Sequence, residues 1–383
     1  MATQRITAGF PTRRRAKLIG MAVAAVSVVA LAGCASSGAT TSTSAPADVS
    51  APLKIAFANI SNSATTFLPT VNAMKSGAAK LGWSVNVYDN KFDSTATLDN
   101  ARLMVSTKPD AIIEFNGVDG VAKALGQTFT TSKIPCIAMN GPIPGCAWFN
   151  ISNALYGQDA GANLAKFATE KGWTAKNTTF IAVNAAAAGA NPQELVSNAY
   201  ATFSTKFPGI PHAKPSDVGL TTTTIGKNFI QVDGAATTIA TTNALKATLQ
   251  TIPADRNVAI VTVNDDSALG VVAALQSTGR KNAIIAGAGS SSAGLNGLRT
   301  NPMWVSEGAV YLNEWAGYTL AMARAIKAGT KLPSLTLAPQ NTLTKSTVNK
   351  YFKGDTPIAI PAISSGSSYL LKTNVLQKLG MDR

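Results

Sequence analysis

From residue 53 onward the chain alternates short apolar runs with longer segments whose apolar residues recur every three or four positions. The run KIAFA at 54–58 reads as a buried strand. Residues 66–81 follow, with Phe67, Val71, Met74, Ala78 and Leu81 at spacings of 4, 3, 4 and 3. Those spacings put all five on one helical face, and Gly82 stands where a left-handed C-terminal cap belongs. The unit repeats as strand 85–88, helix 95–106, strand 111–115, helix 118–132 and strand 134–139. After Asn153 it restarts with helix 155–171, strand 179–183 and helix 192–207. Helix 235–249, strand 258–263, helix 266–278 and strand 283–286 continue it. Strands alternating with helices predict βαβ units and parallel sheets. The fold class expected is therefore α/β, with two similar doubly wound parallel-sheet lobes. Ligands on such sheets bind beyond the carboxyl ends of the strands. The residues falling there are mostly amides: Asn59, Asn116, Asn140, Asn184, and Asn264 beside Asp265. An amide both donates and accepts, which suits uncharged polar ligands.

Residues 1–52 break the pattern. Arg13, Arg14, Arg15 and Lys17 precede an uncharged apolar run at 18–33, shorter than the ~20 residues of a membrane-spanning helix. A basic start, an apolar run and small residues at its end mark a secretory signal. The run closes on Leu31-Ala32-Gly33-Cys34, which resembles the lipobox of bacterial lipoproteins. That resemblance implies a signal peptide at 1–33, lipidation of Cys34, and a body anchored outside the cell membrane. Thr12-Arg13-Arg14 is similar to a twin-arginine signal but lacks the following Phe, so the export route stays open. Residues 34–52, almost all Ala, Ser, Thr, Gly and Pro, read as a flexible tether. Two cysteines remain, Cys136 and Cys146. An even pair in an oxidising compartment suggests a disulfide, with two reduced thiols as the alternative.

The net charge of +14 changes this picture little. Five of the basic residues lie in the first 17 positions, and the remaining Lys are scattered without a basic stripe. A nucleic-acid partner is therefore not expected. Nor is catalysis. The one histidine, His212, sits in a proline-flanked loop. There is no Cys/His cluster, no Gly-x-Ser-x-Gly elbow and no Gly-Lys-Ser/Thr phosphate loop. Gly287-Ala288-Gly289-Ser290-Ser291-Ser292-Ala293, with Glu307 downstream, loosely matches a nucleotide fingerprint, and a tight strand-to-helix turn accounts for it equally. No cofactor and no metal are expected.

Several segments together resemble the type I periplasmic sugar-binding proteins, the ribose-binding group. They are Val263-Asn264-Asp265-Asp266-Ser267-Ala268-Leu269-Gly270, the helix from Phe67 to Lys80-Leu81-Gly82-Trp83, Ile134-Pro135-Cys136-Ile137, Ser152-Asn153 with Gly157, and the stretch 308–333. The resemblance implies a monomeric clamp of two lobes joined by three hinge crossings. Lobe 1 would be 53–153 plus 312–344, and lobe 2 would be 154–311 plus 345–383. It implies capture of a small sugar-like ligand and delivery to an ABC importer's permease. The implied ligand positions are Ser63, Phe67, Asn116, Asn140, Gln193, Asn264 and Tyr311. Phe67 matches an aromatic that packs on the sugar ring, Asn264 an amide that binds hydroxyls, and Tyr311 falls near a sugar-binding Gln. Phe67 also lies on the apolar stripe and Asn264 where a helix cap belongs, so core packing and capping compete with those roles. The chain departs from the family at its charged positions: an Asp-Arg pair is here Asn140-Gly141, an Arg is Gln193 or Glu194, and Gly-Phe-Asp is Gly287-Ala288-Gly289. A sugar or a less hydroxylated solute is thus expected. A sensing clamp that signals to a membrane kinase, or an exported α/β enzyme, are the rival readings.

Overall fold

A computed structural model of the chain describes residues 51–382 except Thr65. The expected signal segment, Cys34 and the tether up to residue 50 lie outside the described residues. In chain order, β1 (Lys54–Asn59), α1 (Leu68–Lys80), β2 (Ser84–Asp89), α2 (Ser94–Ser106), β3 (Ala111–Asn116), α3 (Ala122–Ser132), β4 (Cys136–Asn140) and β5 (Ala147–Asn150) begin the first lobe. The second follows with α4 (Asn153–Glu170), β6 (Thr178–Asn184), α5 (Ala190–Lys206), β7 (Thr224–Ile225), β8 (Phe229–Asp233) and α6 (Thr238–Thr251). It continues through β9 (Asn257–Thr262), α7 (Asp265–Ser277), β10 (Ala283–Gly289), α8 (Ser292–Thr300) and β11 (Trp304–Ala309). The chain then returns to the first lobe as α9 (Leu312–Lys327) and β12 (Thr336–Leu337), and to the second as β13 (Asn341–Leu343), α10 (Val348–Tyr351) and the hairpin β14 (Phe352–Lys353)–β15 (Thr356–Pro357). The 3₁₀ segment Ser365–Thr373 and α11 (Val375–Leu379) finish against α9.

The first sheet has the order β12-β5-β4-β3-β1-β2 and is parallel throughout. The second has the order β13-β11-β10-β9-β6-β8-β7, parallel except for β7 and β13 at its two edges. The five central strands of each follow the same doubly wound order, and each sheet reverses direction beside its first strand, the topological switch point. Both faces of β1, β3, β4, β6, β9 and β10 are buried, which is why they read as continuous apolar runs. In β1, Ile55 and Phe57 face the core shared with α1 and α9, while Ala56 and Ala58 face that of α2 and α3. In β6, Phe180 and Ala182 face α5, and Ile181 and Val183 face α6 and α7.

Three differences from the sequence reading have plain causes. Helix α1 starts at Leu68 rather than 66, because Phe67 closes a turn on Ala64 and Pro69 occupies the first helical turn. Strands β5, β8 and β11 and helix α8 were not expected as elements; β5 has only four residues and β8 is polar at alternate positions. The expected placement of 345–383 in lobe 2 is corrected. Residues 348–357 do stay with α8 and its sheet, but 365–379 cross back to α9, where Leu370, Val375 and Leu376 bury in the lobe 1 core.

Glycine decides one packing contact that the site needs. Helices α4 and α5 cross so closely that a Cβ at Gly157 or Gly161 would run into the carbonyl oxygens of Leu195 and Ala199. Nothing larger than glycine lets α5 approach α4, and that approach sets where the first turn of α5 lies.

Glu114 is the anomaly of the first sheet. It sits in mid-β3, fully buried, in register with Ala58 and Ala138. Asn90 Nδ2 donates to its Oε1 at 2.6 Å, and Oε2 has no partner. Burial pushes its pKa from the usual 4.5 up to about 8, with the Asn90 bond pulling the other way. Between those two values only the folded state holds the proton, so this group's contribution to stability falls as pH rises from 4.5 to about 8 and is flat beyond. The slope is at most ~1.4 kcal/mol per pH unit. Denaturant melts at pH 5 and pH 8 should therefore show Glu114→Gln gaining on the wild type at the higher pH; an equal difference at both pH values would refute the assignment.

Candidate functional site

The lobes are joined by three crossings: Ile151-Ser152, Val310-Tyr311 and residues 338–340. Two amide contacts tie these together. The Gln340 side chain pairs with the Ser152 backbone, accepting from its N–H and donating Nε2–H to its carbonyl. Tyr311, held in the left-handed region at φ 48°, donates its hydroxyl to Asn341 Oδ1 at 2.7 Å. Trp315 Nε1 donates to the Val310 carbonyl at 2.7 Å, fixing the indole at the base of the cleft.

The carboxyl ends of both sheets open onto a cleft of about 150 Å³. Its lobe 1 wall is aromatic: Phe67, Phe92, Phe115 and Trp315. Phe67 meets Phe92 and Phe115 edge-on at 5.7 and 5.5 Å, and Phe115 lies 5.7 Å from Trp315. The lobe 2 wall is small and apolar with a few amides, among them Ala185, Pro192, Leu195, Val263 and Asn264. Among the described residues, no charged side chain lines the cleft.

Asn191, in the first turn of α5, joins the walls. Its Nδ2 donates to Asn140 Oδ1 of the other lobe at 2.9 Å. Its Oδ1 accepts from Asn150 Nδ2 at 2.9 Å and Asn153 Nδ2 at 2.7 Å. Asn140, itself at φ 68°, returns its Nδ2 to the Asn116 carbonyl at 3.1 Å. A second bridge runs from Thr66 Oγ1 to Asp266 Oδ2 at 3.3 Å. Burial, and next the neighbouring Asp265 charge, raise the Asp266 pKa, with the Thr66 bond opposing.

Of the residues expected at the site, Phe67, Asn140 and Asn264 line the cleft. The other four do not. Ser63 is exposed and pairs with the Ser61 hydroxyl at 3.0 Å. Asn116 is buried and folded back on Val118 through both ends of its amide. Gln193 points away from the cleft into lobe 2, bonded to Asn184, the Val218 carbonyl and Gln231. Tyr311 belongs to the hinge and stacks on Phe352 at 5.3 Å. The sequence reading passed over Asn191, which lies two positions before Gln193. Two residues rotate a helix by ~200°, so a match two positions off lands on the opposite face. Asn264 spends both amide ends on structure: Oδ1 caps α7 by accepting from Ser267 N at 2.9 Å, and Nδ2 donates to the Ala236 carbonyl at 3.0 Å.

The glycine-rich turn after β10 is not a phosphate cradle. Ser290 N donates to Glu307 Oε1 at 2.9 Å and Ser291 N to Asp265 Oδ2 at 2.7 Å, so the amides a phosphate would need are turned inward. Burial and then the adjoining Asp265 carboxylate hold the Glu307 pKa well above the usual carboxyl range. Glu307 Oε2 also accepts from Trp304 Nε1 at 3.1 Å, so both of its oxygens are spent inside the lobe. Cys136 and Cys146 form a disulfide with Cα atoms 4.8 Å apart, bracing β4 behind Asn140. Among the described residues no group of three or more His, Cys, Asp or Glu is placed to hold a metal, and no helix is long and apolar enough to cross a membrane. His212 is exposed on a loop.

The model of the periplasmic binding protein domain matches residues 55–330. The chain belongs to that family. Solved structures agree on the fold of this binding protein. A solute-binding protein of an ABC transporter from Mycobacterium smegmatis, with bound glycerol, superposes at TM-score 0.67 and 15 % identity, covering 81 % of this chain and 100 % of its own. A sugar ABC transporter protein from Yersinia enterocolitica gives 0.65 and 17 %, covering 87 % and 96 %. An Agrobacterium vitis solute-binding protein with bound allitol gives 0.63 and 18 %, covering 78 % and 97 %. No curated protein sequence matches the chain.

Two outcomes follow from this binding-protein geometry. Asn264→Ala should lower the unliganded melting stability by ~0.5–2 kcal/mol, the worth of an N-cap, with Asn264→Ser recovering most of it; an unchanged melt would show that the cap is unimportant. Asn191→Ala strips partners from three amides and should cost the closed state on the order of 1–3 kcal/mol, a roughly 5- to 150-fold shift towards open. Small-angle scattering of the unliganded variant should give a larger radius of gyration than wild type. An identical radius would show that Asn191 does not hold the lobes together.

Proposed function

We propose that this protein captures a small uncharged polar solute, a sugar or polyol or a less hydroxylated relative, between its lobes and delivers it to the permease of an ABC importer. One observation carries the reading: the lobes are bridged by Asn191 and Asn140 over a cleft with aromatic rings on one wall and, among the described residues, no charged side chain. An uncharged ligand needs aromatic faces and amides, not counter-ions. A ligand touching both walls favours the closed state by its differential affinity, so capture and closure are one event. The glycerol- and allitol-bound relatives support the ligand class. Among the described residues no nucleophile–base pair lies in the cleft, and the protein is read as a carrier without catalytic activity or cofactor. It works as a monomer outside the cell membrane, held there by a lipid on Cys34.

Two measurements test this. In a thermal-shift panel of neutral pentoses, hexoses and polyols set against sugar phosphates, amino acids and sugar acids, only neutral compounds should raise the melting temperature. A shift produced only by charged compounds would overturn the ligand class. In the producing cell, Cys34→Ala should move the protein from the membrane to the soluble fraction. A variant that stays membrane-bound would refute the anchor.

A further inference from the structure

The interlobe space does not end at the cleft. Thr66, Gly289 and Leu312 also border a second, larger chamber of about 420 Å³ between the same two lobes. Its lobe 1 side is the start of α1 and α9, at Pro69 and Asn313. Its lobe 2 side is the β10–α8 turn and the β14–β15 hairpin, which does not line the inner cleft. Tyr311 and Phe352 border it with stacked, nearly parallel rings, 5.3 Å apart and 5° from coplanar orientation.

The two spaces differ in the polar groups they can offer. In the inner cleft the amides are largely committed: Asn140, Asn191 and Asn264 each use both amide ends on protein partners. A fully hydroxylated ring enclosed there would lose water from more hydroxyls than the walls can satisfy. The outer chamber is the reverse. Ser292, Asn313, Thr356 and Asp355 all line it, and none of their side chains makes a hydrogen bond within the protein. Two hydroxyls and an amide can donate or accept, and the carboxylate accepts from paired hydroxyls.

We propose that the cleft and this chamber form one continuous site for an elongated, uncharged glycoside. The less hydroxylated end lies among Phe67, Phe115 and Trp315. The polyhydroxylated ring passes the neck at Thr66, Gly289 and Leu312 and is met by Ser292, Asn313, Asp355 and Thr356. The inference rests on the reading of the cleft as the ligand site and specifies the shape and polarity of what enters it. It also gives the hairpin a role, since Asp355 and Thr356 border the outer chamber where the ring would lie.

The test is calorimetry of the purified protein with phenyl β-D-glucopyranoside and phenyl β-D-galactopyranoside, each beside its free hexose. At least one phenyl glycoside should bind about tenfold or more tightly than the matching hexose. Asn313→Trp and Ser292→Trp, which fill the outer chamber from exposed positions, should each abolish that advantage while leaving the melting temperature unchanged. Free hexoses binding as tightly as their glycosides, or an advantage that survives both fillings, would overturn the two-chamber site. Hexose binding that is lost in Asn140→Ala, with no glycoside advantage, would leave the cleft reading standing and remove only this inference. No binding by any of the four probes would count against both.

Discussion

The side-chain amide of Asn191 is the point on which the two lobes depend. It donates across the interface to Asn140 and accepts from Asn150 and Asn153, so three segments from both sides of the first crossing converge on one group. Its position is inherited from packing well below the cleft. Gly157 and Gly161 let α5 settle against α4, and that contact places the first turn of α5 beside the carboxyl ends of β4 and β5. A bulkier residue at either glycine would push the amide away from its partners before it touched the cleft.

A latch made of neutral amides also dictates what the site can hold. Among the described residues, charged side chains that could grip hydroxyls or counter-ions are absent from the cleft wall, and the carboxylates nearby are kept out of it. Glu307 and Asp265 lie beneath the β10–α8 turn and draw its backbone amides inward, and Asp266 is held at the edge by Thr66. Buried acids thus shape the loop from behind and present only small, neutral surface to the ligand. The same division of labour holds at the hinge, where Gln340 and Tyr311 tie the crossings to one another and leave the cleft wall to others.

Most of the architecture was legible in the chain because the central strands are buried on both faces and their helices keep a regular apolar stripe. The elements that escaped are those where that signal fades: β5 with four residues, and β8, where the buried face carries Phe229 and then Gln231, while Ile230 and Val232 are only half-buried. At the site, Asn140 could be found because it ends β4, and Phe67 because it opens the first helix after β1. Gln193 could not be told from Asn191, since helix rotation, invisible without the register of α5 against α4, decides which of them faces the cleft. Tyr311 was plausible by position, but backbone geometry makes it a left-handed hinge residue, and Asn264 lines the cleft while its amide caps a helix. The three-way junction of crossings is a product of long-range pairing, such as β12 with β5 and β13 with β11, and no local pattern announces it.

The most direct measurement is mass spectrometry of the small molecule released when protein purified from its native compartment is denatured. A cleft closed by amides over aromatic rings should give up a neutral, hydroxyl-bearing compound in near-stoichiometric amount. Release of an amino acid, a phosphate ester or another charged solute in its place would contradict the neutral-cleft mechanism.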